Sequence, residues 1–286
     1  MSAFFGPAGR DDSLLVYGYK SSLDIPRCMH EKGLDAFEYQ CGRGVNVKLD
    51  VANELGRLAK EMGIRLSLHA PYYISLSGIE KEKRDKSIDY ILSSAVAADA
   101  MGADRIIVHS GSCSKISREE ALELAKDTIS RARKALDEKG LEHIHICPET
   151  MGKINQLGTL SEVMELCKTD ERMIPCIDFG HLNARDLGAI KTEQDYKDIL
   201  DEIENALGFD RLKNFHSHFS KIEYTAGGEK QHLTFGDTQF GPDFEPLLNQ
   251  VVKRGLSPVF ICESAGTQSD DALKMKKYYH SLKSGE

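Results

Sequence analysis

Short apolar, β-branched runs alternate along this chain with longer stretches of helical periodicity. The runs fall at residues 14–20, 36–40, 65–70, 105–110, 143–149, 173–179, 212–219 and 258–264, a length and composition that predict strands. Between them, residues 80–101 put Ile88, Ile91, Leu92, Val96 and Ala97 on one helical face, and residues 118–138 do the same with Ala121, Leu122, Leu124, Ala125, Ile129, Ala132 and Leu136. Ser117 before Glu119 and Glu120, and Thr159 before Ser161 and Glu162, mark helix starts. Gly63, Gly102 and Gly140 mark helix ends, where a left-handed residue is wanted. Strands without a polar face predict an all-parallel sheet covered by helices. Eight strand–helix units close a (β/α)8 TIM barrel, read as a single α/β domain over residues 1–286. A doubly wound open sheet is the alternative, but no GxGxxG follows the first strand, so its nucleotide-binding form has no support.

In a barrel the reactive rim lies at the C-terminal ends of the strands. There the sequence sets His69, His109, Glu149, Asp178 with His181 three residues on, His216, and Glu263; His232 follows strand seven in its loop. A lone polar residue at a strand end is ordinarily structural. Eight on six consecutive strands would crowd like charges together at a cost, unless cations sit among them. Imidazole with carboxylate is the ligand set of zinc, manganese and iron(II). Eight donors exceed one tetrahedral ion, so two or three divalent ions are expected, Zn2+ first with Mn2+ and Fe2+ as alternatives. Glu149 stands between the early histidines and the late acids and is the natural bridge. Asp178 and His181, on adjacent turns as the chain leaves its strand, suit two neighbouring ions.

Composition narrows the setting. Seven scattered cysteines without a CxxC pair argue against a disulfide framework and for a reducing cytoplasm. No apolar run is long enough to span a bilayer. The net charge of −8 argues against binding nucleic acid through a bulk positive field. It does not oppose binding through a local cluster of cations.

The residues resemble the endonuclease IV family of apurinic/apyrimidinic endonucleases from about Tyr17 to Tyr279. The carriers are His69-Ala-Pro-Tyr72-Tyr73-Ile-Ser75, Val108-His109-Ser110-Gly111, Pro148-Glu149-Thr150-Met151-Gly152, Cys176-Ile-Asp178-Phe-Gly-His181, Phe215-His216 with Ser220-Lys221, His232 with Gly236-Asp237, and Cys262-Glu263. The resemblance implies a three-zinc barrel that cleaves double-stranded DNA 5′ to abasic sites through a metal-activated hydroxide, in base excision repair, as a monomer. It implies one ion on His69, His109 and Glu149; a second on Glu149, Asp178, His216 and Glu263; and a third on His181, His232 and one more acid. Glu149 and Glu263 are the catalytic carboxylates in this reading. Tyr72 matches a DNA-probing position, Tyr73 stands where the family often has an aliphatic residue, and Arg43 is the candidate for the probing arginine after strand two. Lys221 is a candidate phosphate contact. One departure stands out: the family's third-site acid comes as Asp-x-His, whereas here the nearest acid is Glu229, three residues before His232. His218 matches no ligand position and is read as supporting a ligand or facing the substrate. The alternative function is a metal-dependent sugar isomerase or epimerase, for which Glu149, Asp178, His216 and Glu263 would suffice. A metal-binding barrel without catalysis is a third reading, which would leave a full ligand set idle.

Overall fold

The computed structural model describes residues 2–113 and 115–285. Its strands are β1 (Phe4–Pro7), β2 (Ala36–Gln40), β3 (Arg65–His69), β4 (Arg105–Val108), β5 (His145–Pro148), β6 (Cys176–Asp178), β7 (His216–Phe219), β8 (Lys221–Thr225), β9 (Gly228–Leu233) and β10 (Val259–Cys262). Parallel pairing runs β2-β3-β4-β5 on one side and β6-β7-β10-β1 on the other. The bridges Ala8–Glu38 and Glu149–Cys176 join these arcs into a closed eight-stranded barrel. The fold is therefore a (β/α)8 TIM barrel, as the alternating pattern predicts.

The first strand differs from expectation. Residues 14–20 do not form it; Asp12–Tyr17 is a short 3-10 helix, started by the Asp11 side chain accepting from Ser13 N at 2.9 Å. Leu15 and Val16 are exposed, and only Leu14 of that apolar stretch is buried in the core, so it lacks the two buried faces of a barrel strand. The strand is Phe4–Pro7, too short and too rich in glycine and proline to show periodicity.

The helices run close to the predicted spans. Lys81–Ala100 and Arg118–Asp137 flank β4, the latter capped by Ser117 Oγ accepting from Glu120 N. Thr159 and Glu162 form a reciprocal capping box on Leu160–Cys167. Gly63, Gly102 and Gly140 all take positive φ after helix ends. Most of the core lies between barrel and helices. Inside the barrel the apolar filling is small: Ile107, Cys147, Ile174 and Cys176 on one side, Ala36, Val259 and Ile261 on the other. Polar side chains occupy the remaining interior. No described helix is long and apolar enough to cross a membrane.

The chain also makes a hairpin that the sequence pattern hides. Strands β8 and β9 pair antiparallel outside the barrel, and β9 lies against the loop after β5, where Glu229 N donates to Gly152 O at 3.0 Å. His232, expected in a loop, is in β9.

Candidate metal centre

Each barrel strand from β3 onward brings a donor to the same rim. His69 ends β3, and Glu149 follows β5 with its amide donating to Val108 O, which carries β5's alignment one residue further. Asp178 ends β6 and at once starts the helix Phe179–Arg185, its Oδ1 accepting from His181 N at 2.8 Å. That cap locks Asp178 and His181 into one unit. Gly180 serves this turn by closeness rather than by bending: it has no positive φ, but a Cβ there would meet Ser220 O at 2.4 Å.

The rim donors gather into three groups, each with ligand atoms within 4.8 Å of one another: His69, His109 and Glu149; Glu149, Asp178, His218 and Glu263; and His181, Glu229 and His232; His69, His218 and Glu263 form an overlapping fourth group, and Cys176, His216 and His218 a deeper fifth. Glu149 belongs to the first two. Its Oε2 lies 3.4 Å from His69 Nε2 and 3.2 Å from His109 Nε2, while its Oε1 lies 3.0 Å from His218 Nδ1 and 3.5 Å from His181 Nδ1. His181 reaches the third group with Nε2, 3.5 Å from Glu229 Oε2, and His232 Nε2 is 4.0 Å from Glu229 Oε1.

The reach of Glu229 depends on a β-bulge. Glu223 pairs with Gln231, but Tyr224 pairs with Glu229, so Lys230 is an extra residue on β9. Without it, strand alternation would put Glu229 and His232 on opposite faces. With it, both face the rim, while Lys230 and Gln231 turn outward and bond Glu223 at 2.6 and 2.7 Å. Gly152 leaves the room Glu229 occupies, since a Cβ there would sit 2.6 Å from Glu229 Cβ.

The expectation for His216 is corrected. His216 and His218 face the same way, but His216 is in register with Cys176 and Val259, one inward position deeper than His218, which is in register with Asp178 and Ile261. His218 therefore joins Glu149, Asp178 and Glu263 in the central group. His216 lies below with Cys176, its Nε2 2.9 Å from Glu38 Oε2 but off the hydrogen-bonding line. Burial pushes its imidazole down to about 4, against the pull of Glu38, and burial holds the Cys176 thiol well above its usual range. Both are thus neutral.

The electrostatics of the rim call for positive charge. Burial alone would raise the Glu149 carboxyl, yet the imidazoles of His218, His109 and His181 hold it well below the usual carboxylate range. Burial likewise opposes charge on His69, but Glu149 beside it pushes the imidazole up to about 9. Burial is again outweighed at His181, by Asp178 and Glu149, and at His218, by the carboxylates of Glu263, Glu38 and Glu149. Glu149 Oε2 and Asp178 Oδ2 are buried without a hydrogen-bond partner, a costly state that a cation would relieve. The histidines are also oriented as ligands. His69 Nδ1 lies 2.8 Å from Ala70 O and His181 Nδ1 2.9 Å from Thr150 O. A carbonyl only accepts, so Nδ1 carries a hydrogen there, and Nε2 is the nitrogen that faces the rim and would take a cation in place of its proton. His232 Nδ1 is similarly tied to Ser220 Oγ at 2.8 Å. These donors fit divalent cations.

Around the rim, Tyr72 and Tyr73 are exposed and their rings meet edge to face, with Tyr73 also against Tyr90. Arg43 is exposed in the adjoining loop, whose Gly42 O accepts from Tyr72 N at 3.4 Å. Lys221 is not free for a phosphate: its Nζ donates to Asp237 O at 2.7 Å and pairs with Asp243 at 2.8 Å, fastening the loop after the hairpin. Sequence reasoning also missed Glu38, a fully buried carboxylate inside the barrel. Its signal was a charged residue between Phe37 and Tyr39 in an apolar strand.

Comparison with known proteins follows this geometry. A family model described as xylose isomerase-like TIM barrel matches residues 27–282. An uncharacterised protein of Methanocaldococcus jannaschii is 34% identical over 257 residues, covering 90% of both chains. A probable endonuclease 4 of Staphylococcus carnosus is 29% identical over 67% of this chain and 65% of its own. Among solved structures, a D-tagatose 3-epimerase-like protein superposes with a TM-score of 0.73 at 19% identity, over 99% of each chain. Endonuclease IV from Thermus thermophilus gives 0.72 at 16%, over 99% of this chain and 100% of its own. The structural likenesses share the fold; the family match covers nearly the whole chain. The chain belongs to the xylose isomerase-like TIM barrel family.

Proposed function

We propose that the protein is a metal-dependent endonuclease that cuts the DNA backbone 5′ to abasic sites, in base excision repair in the cytoplasm. The observation that carries this reading is the three-group donor arrangement, with Glu149 shared between two groups. The residues would hold one divalent ion in each group, Zn2+ first among those suited to imidazole and carboxylate. When bound, such ions supply Lewis-acid activation of water and of a phosphate oxygen.

The chain's own residues account for the rest. Glu149, Asp178, His181 and His218 form the buried floor. His109, Glu263, Glu229 and His232 are partly exposed and frame a mouth that a phosphodiester can approach. The Tyr72–Tyr73 pair stands on the loop after β3, next to the loop that carries Arg43. Exposed aromatic rings beside a cationic side chain suit an opened, unstacked duplex at a site that has lost its base. The probable endonuclease 4 relatives support this reading.

A second reading is a sugar isomerase or epimerase. Glu149, Asp178, His218 and Glu263 form a self-contained set that one-metal chemistry could use, and the epimerase-like fold neighbour accords with it. It leaves His69, His109, His181, Glu229 and His232 without a task. The test is a duplex carrying one tetrahydrofuran abasic analogue, incubated with metal-replete protein. The expected result is a nick 5′ to the lesion that EDTA pretreatment abolishes. An intact duplex, under conditions where a ketose is isomerised or epimerised, would overturn it.

A further inference from the structure

Glu38 lies inside the barrel on β2, fully buried, beneath the central donor group. A buried carboxylate is costly unless its oxygens are bonded, and here both are. Oε2 accepts from Ser67 Oγ at 2.9 Å, across the β2–β3 ladder. Oε1 accepts from Gln40 Nε2 at 3.1 Å and lies 2.9 Å from His218 Nε2. With both oxygens already accepting from neighbouring donors, the group faces His218 as an acceptor. His218 must then carry its hydrogen on Nε2. Its other nitrogen, Nδ1, faces Glu149 Oε1 at 3.0 Å and Glu263 Oε1 at 3.6 Å. This is the reverse of His69 and His181, which bond a backbone carbonyl through Nδ1 and turn Nε2 to the rim.

We propose that Glu38 is a positioning residue, held by Ser67 and Gln40, that locks His218 with Nε2–H inward and presents Nδ1 as the imidazole donor of the central group. Ligating histidines owe their tautomer and ring orientation to the partner on the far nitrogen. Here that partner is a carboxylate reached through the barrel interior, from a strand three places from β7 round the barrel. The inference rests on reading the rim as a metal centre, not on the choice of substrate.

The test uses the full chain, zinc, and the variants Glu38→Ala and Glu38→Gln. Competition against a chromophoric chelator should show one zinc equivalent weakened about 10–100-fold in Glu38→Ala, the range typical of an outer partner of a ligand, with the other equivalents unchanged. Glu38→Gln keeps an oxygen acceptor and should restore most of the loss. In wild-type protein loaded with zinc, 15N-histidine NMR should show His218 protonated at Nε2 and bound through Nδ1. Folded Glu38→Ala that binds every zinc equivalent with wild-type affinity would overturn the proposal. So would His218 bound through Nε2, a result available even if Glu38→Ala does not fold. Wild-type zinc binding in the expected tautomer with an untouched abasic duplex would instead overturn the endonuclease reading and leave the role of Glu38 standing.

Discussion

Gly152→Ala should empty the third donor group while leaving the other two intact. Gly152 lies where the loop after β5 passes under the hairpin and accepts from Glu229 N at 3.0 Å. An added methyl carbon would sit 2.6 Å from Glu229 Cβ, 2.9 Å from Glu229 Oε2 and 3.0 Å from His181 Cδ2. Non-bonded carbons settle at roughly 3.5–4.0 Å, so something must retreat by about 1 Å. Glu229 Cβ is fixed by the β8–β9 backbone, and the His181 ring is fixed by Thr150 O. Metal–ligand distances tolerate only about 0.2 Å. The methyl group therefore detaches the one acid of the group and leaves His181 and His232 as a pair. The overpacking should cost about 1–3 kcal/mol, small enough for the barrel to stay folded. The assay is metal content by atomic emission after dialysis against a buffered free-zinc series, alongside a circular dichroism melt. One equivalent should leave at free zinc that saturates the wild type. A wild-type count and affinity in folded Gly152→Ala would refute Glu229 as a ligand.

Further outcomes follow from the same geometry. Deleting Lys230 removes the bulge and restores regular alternation with Glu229 two places before His232, so metal count should match wild type; loss of one equivalent would refute the role of the bulge. His218→Leu should lose the central equivalent and, by leaving Glu38 uncompensated, destabilise the fold by about 3–5 kcal/mol. His216→Leu should keep every equivalent, which metal analysis checks. Glu149→Gln removes the residue common to two groups, so nicking should fall by more than the roughly 10–100-fold typical of an outer partner, with the circular dichroism spectrum unchanged; retained nicking would refute its shared position.

Much of the barrel was legible because its strands are buried on both faces and announce themselves as apolar runs between amphipathic helices. β2 to β7 and β10 carry that signature. β1 does not, since Phe4–Pro7 has too few residues for a period, and the louder run at Leu14–Val16 is a 3-10 turn started by Asp11 that buries Leu14 alone. The identity of the rim donors was legible because they stand at strand ends. Their depth was not: His216 and His218 share a face, and only pairing with Cys176 and Asp178 ranks them. Nor could periodicity bring Glu229 beside His232, because alternation separates residues three apart and the bulge at Lys230 reverses that. Glu38 was passed over because a charge in an apolar strand is ordinarily read as a solvent position, and this one faces inward to two imidazoles. Lys221 looked free because Asp237 and Asp243 reach it from a loop many residues away.

The proposed function calls for three ions at the rim, on three distinct donor groups. Anomalous diffraction at the zinc absorption edge, on crystals of zinc-replete protein, tests it most directly. Three peaks are predicted, one each beside His69–His109–Glu149, Glu149–Asp178–His218–Glu263 and His181–Glu229–His232, with none at His216. A single peak confined to the central group would contradict the account and leave the one-metal isomerase chemistry in its place.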